Sequence, residues 1–127
     1  MYKNPVQAYE DVNRTTMSGR DVEIAVLTQA ANRLADCQEN WNAEDHTAQL
    51  NDALKFNQLV WSIFQSELEK EDNPLPRKIR LDMLRLIQFV DRRIFETMAE
   101  PSPEKLTIVI HINQNIAAGL KSMPSNG

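Results

Sequence analysis

LNDALKFNQLVWSIFQSELEKEDNPLPRKIRLDMLRLIQFVDRR, Leu50 to Arg93, is the stretch that decides the fold. Two strongly apolar helical patterns meet in it at one stiff corner, Asn73-Pro74-Leu75-Pro76. Pro74 disfavours the α conformation at Asn73 and tends to end the first of the two helices. Pro76 suits the first turn of the next, where its missing N–H would be unpaired anyway. The corner therefore predicts an antiparallel helix pair. Before it, Leu50, Ala53, Leu54, Val60, Trp61, Phe64 and Leu68 fall on one stripe at the 3.6-residue period, which predicts a helix from near Thr47 to near Asp72. After it, a helix is expected from about Pro76 to Met98, with Ile79, Met83, Leu86, Val90 and Ile94 inward. Leu81, Leu84, Ile87, Phe89 and Phe95 add apolar groups around most of its circumference, and a helix of that kind is expected to be central.

Working outward, Ser18 followed by Asp21 and Glu23 reads as an N-cap with acid in the first turn. Val22, Val26, Leu27, Ala30, Leu34 and Cys37 then share a face, with Trp41 a candidate extension, and Asn42 to His46 is a polar connection. Asn4-Pro5 is the start signal of a short helix through Val12. On the C-terminal side, Pro101-Ser102-Pro103 breaks the chain. Ser102 is the expected cap, Pro103 the first turn, and Leu106 to Leu120 a fourth long helix with Leu106, Val109, Ile110, Ile116, Ala117 and Leu120 inward. The strand-like triplet Ile108-Val109-Ile110 yields to the Ser-Pro start and the continuing helical period. The expected class is all-α, a small antiparallel bundle of about four helices in a single domain over 1–127. Residues 1–17 are expected to pack loosely and the tail from Lys121 to fray.

Three glycines in 127 residues, with 42% apolar side chains, fit helices joined by few turns. The formal charge of −4 hides an asymmetry. Residues 1–72 carry six cations and thirteen acids, a balance of −7, and residues 73–127 carry eight and five, a balance of +3. Nucleic acid is therefore not expected on the N-terminal half, because that affinity rests on cations set against phosphates. A single cysteine, Cys37, excludes an intramolecular disulfide and suits a reducing compartment. Met1 to Asp11 has neither a cationic start nor an apolar run, so no Sec-type signal peptide is expected. No apolar stretch approaches the roughly 20 residues that span a bilayer. The expectation is a cytoplasmic protein with no membrane partner.

Chemistry-bearing patterns are sparse. His46 and His111 are the only histidines, and no HExxH or cysteine cluster supplies metal-ligand spacing. Cys37 lies on an apolar face near Arg33 without the histidine that would mark an activated thiol, so it reads as a packed cysteine. P-loop, GxGxxG and GxSxG motifs are missing, and no carboxylate pair stands in an apolar setting. The expectation is no enzyme, no cofactor, no metal and no small-molecule substrate.

What remains is recognition. Asn57 and Asn113 interrupt core stripes, either as surface-leaning residues or as buried amides that fix helix register. Arg77 to Arg93 holds six cations and two acids, and Lys78, Arg85 and Arg92, seven apart, share a face. That face reads as a solvated surface or as a dock for an acidic protein. RNA stands last, since aromatic stacking platforms are not evident beside the cations. Phe56, Leu59 and Ile63 form a second apolar stripe on the second helix, turned from the Trp61/Phe64 side. The stripe either packs on the first helix or is an exposed patch that binds amphipathic target helices. The candidate partner-binding residues are thus Phe56, Leu59, Ile63, Lys78, Arg85 and Arg92.

One more pattern runs through the chain: Ala8-Tyr9, Thr15-Thr16 before Arg20, Asp21 and Glu23, then Ala53-Leu54, Asn57, Leu59, Trp61 and Phe64. Asn73-Pro74-Leu75-Pro76, Arg80, Phe89-Val90-Asp91-Arg92, Ile112-Asn113, Asn115-Ile116 and Gly119-Leu120 complete it. In this order and spacing the chain resembles the FlaF flagellar biosynthesis proteins of alphaproteobacteria over nearly its whole length. The resemblance implies a non-enzymatic flagellar assembly factor, required for flagellin production and export and acting with FlbT, a post-transcriptional regulator of flagellin. It implies flagellin as partner, most economically through an export chaperone's grip on the amphipathic termini of flagellin. The alternative is a regulator of flagellin synthesis that acts on FlbT or messenger RNA through the Arg77–Arg93 surface. The resemblance assigns no contact residue.

Overall fold

A computed structural model describes residues 19–122. They form four helices, α1 (Gly19–Glu39), α2 (His46–Glu69), α3 (Arg77–Ala99) and α4 (Glu104–Ser122), with no strand among the described residues. The expected Asn4–Val12 helix and the Ser18 cap lie outside the described residues. The Ile108-Val109-Ile110 triplet is helical, its second and third members buried.

The helices close a ring. α1 packs most extensively on α4 and next on α2, α2 packs on α3, and the α3–α4 seam is the thinnest. The backbones of α1 and α3, and those of α2 and α4, thus stay apart across the bundle. One apolar core runs through it, built on Leu27, Ala30 and Leu34 from α1, Leu54, Val60 and Trp61 from α2, and Leu106 and Val109 from α4. The small Ala30 and Ala31, both buried, suit the close α1–α4 approach.

α3 is where the expectation fails. It buries only Ile87, Val90, Ile94 and Thr97, and Ile79, expected inward, is exposed. Met83 and Leu86 are half-buried. α3 is the outermost helix rather than the central one. Apolar residues all round a helix require neighbours all round it, and here only α2 and one thin seam with α4 are available.

The corner is held by side chains. α2 ends at Glu69, a turn before Pro74, and Asn73 donates from Nδ2 to the Glu67 carbonyl at 2.9 Å. Its Oδ1 accepts the Leu75 N–H at 3.0 Å. Arg80 reaches back from α3, its Nε and Nη2 donating to the Leu68 carbonyl at 3.1 and 3.0 Å. A guanidinium there satisfies carbonyls that a helix end leaves orphaned and opposes its negative dipole end. Pro76 occupies the position just before α3 rather than its first turn. At the other end Gln38 ties α1 to the start of α4, donating to the Pro103 carbonyl and the Thr107 hydroxyl.

Candidate functional site

Two interior asparagines separate structural from functional polarity. Asn57 on α2 and Asn113 on α4 are both fully buried. The Trp61 indole N–H donates to Asn113 Oδ1 at 2.9 Å, Asn113 Nδ2 donates to Asn57 Oδ1 at 2.7 Å, and Asn57 Nδ2 donates to the Ala53 carbonyl at 2.9 Å. An indole N–H can only donate, so it fixes the Asn113 amide, which in turn fixes that of Asn57. The chain of donors crosses the core diagonal between two helices whose backbones stay apart. It sets their register and leaves nothing for a ligand.

Two other buried side-chain nitrogens, His46 Nδ1 and Arg93 Nε, have no hydrogen-bond partner among the described residues. Burial, and secondarily Asp36, raises the Cys37 thiol pKa, the opposite of what a reactive thiolate needs. No group of three or more His, Cys, Asp or Glu residues that could hold a metal occurs among the described residues. Trp41 caps the α1–α2 turn, its ring 4.0 Å from that of His46.

The Phe56–Leu59–Ile63 stripe does not form one open patch. Phe56 is 1% exposed, packed in the core with the Arg33 guanidinium 4.2 Å over its ring. Leu59 and Ile63 are half-buried. Ile63 lines a shallow cleft between α1 and α2 together with Val26, Val60, Phe64 and two carboxylates, Glu23 and Glu67. Desolvation raises the Glu23 pKa, Glu67 raises it further, and Arg20 opposes both.

Lys78, Arg85 and Arg92 do share an exposed face, on α3, whose backbone stays apart from α1 and which contributes no residue to the Ile63 cleft. They therefore do not border the Ile63 cleft. Instead they alternate with exposed apolar residues along α3 in the order Lys78, Leu81, Arg85, Phe89, Arg92, Phe95. Every step is three or four residues, which keeps the row on one side of a helix. Phe95 is 62% exposed and Leu81 43%. Lys78 and Arg85 reach the same Asp82 at 3.7 and 3.9 Å, loose surface pairs that hold neither in place.

Sequence reasoning missed this face because it assigned the α3 apolar residues to the core. It also passed over Phe89, which interleaves with the cations and has the Arg93 guanidinium 5.8 Å from its ring centre. The alternation at three- and four-residue steps was the available signal. Among the described residues, four of the five exposed large apolar side chains (Ile79, Leu81, Phe89 and Phe95) belong to α3, and Ile108 is the fifth.

The family model described as flagellar protein FlaF matches residues 5–120, so the chain belongs to the FlaF family of flagellar proteins. No curated protein and no solved structure matches it. No described helix is long and apolar enough to cross a membrane.

Proposed function

We propose that this flagellar protein is a cytoplasmic, non-enzymatic assembly factor that binds monomeric flagellin as an export chaperone and so promotes its production and secretion. The observation that supports this reading is the concentration of solvent-exposed Leu81, Phe89 and Phe95 on one helix of a bundle whose core is complete without them. Apolar surface kept open on a small domain marks a partner site. A helix that presents it suits the amphipathic terminal segments of flagellin, which must stay shielded until they pack in the filament. Of the six candidate residues, Phe56 drops out because it is buried, Leu59 and Ile63 are secondary, and Lys78, Arg85 and Arg92 stay.

The alternative, regulation of flagellin synthesis through FlbT or messenger RNA, draws on the same cations and on Phe89 as a stacking platform. Titration with monomeric flagellin at low and high salt separates the two. Contact through apolar groups tolerates added salt, whereas phosphate contacts weaken steeply with it. Flagellin binding that keeps an apolar, salt-resistant part at high salt and is lost in a folded Phe95→Asp variant supports the chaperone reading. A parent protein that ignores flagellin but retains RNA or FlbT in a pull-down, sensitive or insensitive to ribonuclease, replaces it with the regulatory one.

A further inference from the structure

The geometry points to an acidic amphipathic helix as the ligand of the outer α3 face, seated so that its carboxylates meet Lys78, Arg85 and Arg92 while its apolar residues meet Leu81, Phe89 and Phe95. This deepens the flagellin reading and rests on it for the identity of the partner, but the chemistry is argued from α3 itself.

The row from Lys78 to Phe95 covers seventeen steps, about 25 Å of helix at 1.5 Å per residue. Cation and apolar group strictly alternate along it, and all six members are exposed. A lipid surface asks for something else: an interfacial helix segregates its apolar residues on one face and its cations on another. Phosphate backbones would use the three cations and leave Leu81 without a role. A second helix that alternates acid and apolar residues at three- and four-residue spacing satisfies every member. The sign is set by the face itself, where Lys78, Arg85 and Arg92 stand against one exposed acid, Asp82, between Lys78 and Phe95. Arg80 is excluded from recognition, since it is committed to the α2 carbonyls. The cations accordingly lie within the contact, not around its rim. They contribute to specificity as well as to encounter rate, because a like-charged helix would place cation against cation.

The test uses the full chain and three labelled synthetic helices of 21 residues with identical leucine positions, carrying Glu, Lys or Ser at the alternating sites. Vesicles of phosphatidylglycerol and phosphatidylcholine serve as a fourth probe. Anisotropy titration is expected to show the Glu helix binding at least tenfold tighter than the Lys and Ser helices. Arg85→Glu/Arg92→Glu, both exposed sites and checked for folding by circular dichroism, is expected to remove that preference at least tenfold. Equal binding of the Glu and Lys helices, binding of none, an unaffected variant, or vesicles that displace the Glu helix would each overturn the inference. Flagellin titrated on the same two proteins keeps the readings apart. Full flagellin affinity in the charge-reversed variant sinks this inference and leaves the chaperone reading standing. A parent that prefers the Glu helix yet does not bind flagellin has the reverse meaning.

Discussion

Trp61 carries two loads at one position: its ring fills the core beside Phe64, with centroids 5.7 Å apart, and its N–H is the first donor of the asparagine chain. Truncating a buried large aromatic costs about 3–5 kcal/mol. Trp61→Ala also strips Asn113 Oδ1 of its donor, so its loss of unfolding free energy in urea should fall at the upper end of that range. Asn113→Leu isolates the polar part. It leaves the Trp61 N–H and Asn57 Oδ1 buried and unpaired, and a loss of about 1–3 kcal/mol per group in urea unfolding is expected. Glu23 offers a pH test. Its folded pKa is raised, chiefly by burial, so the ionised native state is disfavoured above that pKa. The penalty is relieved as pH falls through the folded value towards the unfolded one. Glu23→Gln should therefore melt higher than the parent at neutral pH, and the gap should close as acid protonates the parent. A gap that widens on acidification would show that Glu23 is stabilised as a carboxylate.

At the scale of elements, α3 should behave as the loosest of the four helices. Native-state hydrogen exchange is expected to show its amides opening at lower free energy than those of α1 and α4, since local stability follows packing. Phe95→Ser, at an exposed site, should leave stability within about 0.5 kcal/mol of the parent. A larger loss would place Phe95 in a contact that the bundle needs. The helices and their apolar stripes on α1, α2 and α4 were legible in the sequence, because prolines and a 3.6-residue period each act locally. The position of α3 was not. Its own residues encode apolarity on most sides, but which sides find a neighbour depends on the α3–α4 seam, a property of two distant segments. Phe56, for which packing on the first helix was one of the two readings, is packed there, but the sequence left the choice open for the same reason. Whether an apolar residue one step off the main stripe is open or covered depends on Arg33, 23 positions away. Asn57 and Asn113 were visible as interruptions, yet only their meeting across the diagonal shows that they answer each other.

For the whole molecule, the ring of helices puts the alternating cationic and apolar row of α3 on the outside. Trp61 and the asparagines hold the core, Arg80 and Asn73 hold the corner, and the side of α3 turned from both is left with alternating cations and apolar groups. The proposed flagellin site is therefore a surface whose alteration should spare the fold. The most direct test is titration calorimetry of monomeric flagellin against the parent chain and against Phe89→Ser/Phe95→Ser, with melting curves run in parallel. The account predicts binding by the parent, at least tenfold weaker binding by the variant, and superimposable melting curves. A variant that melts like the parent and binds flagellin equally well would contradict it.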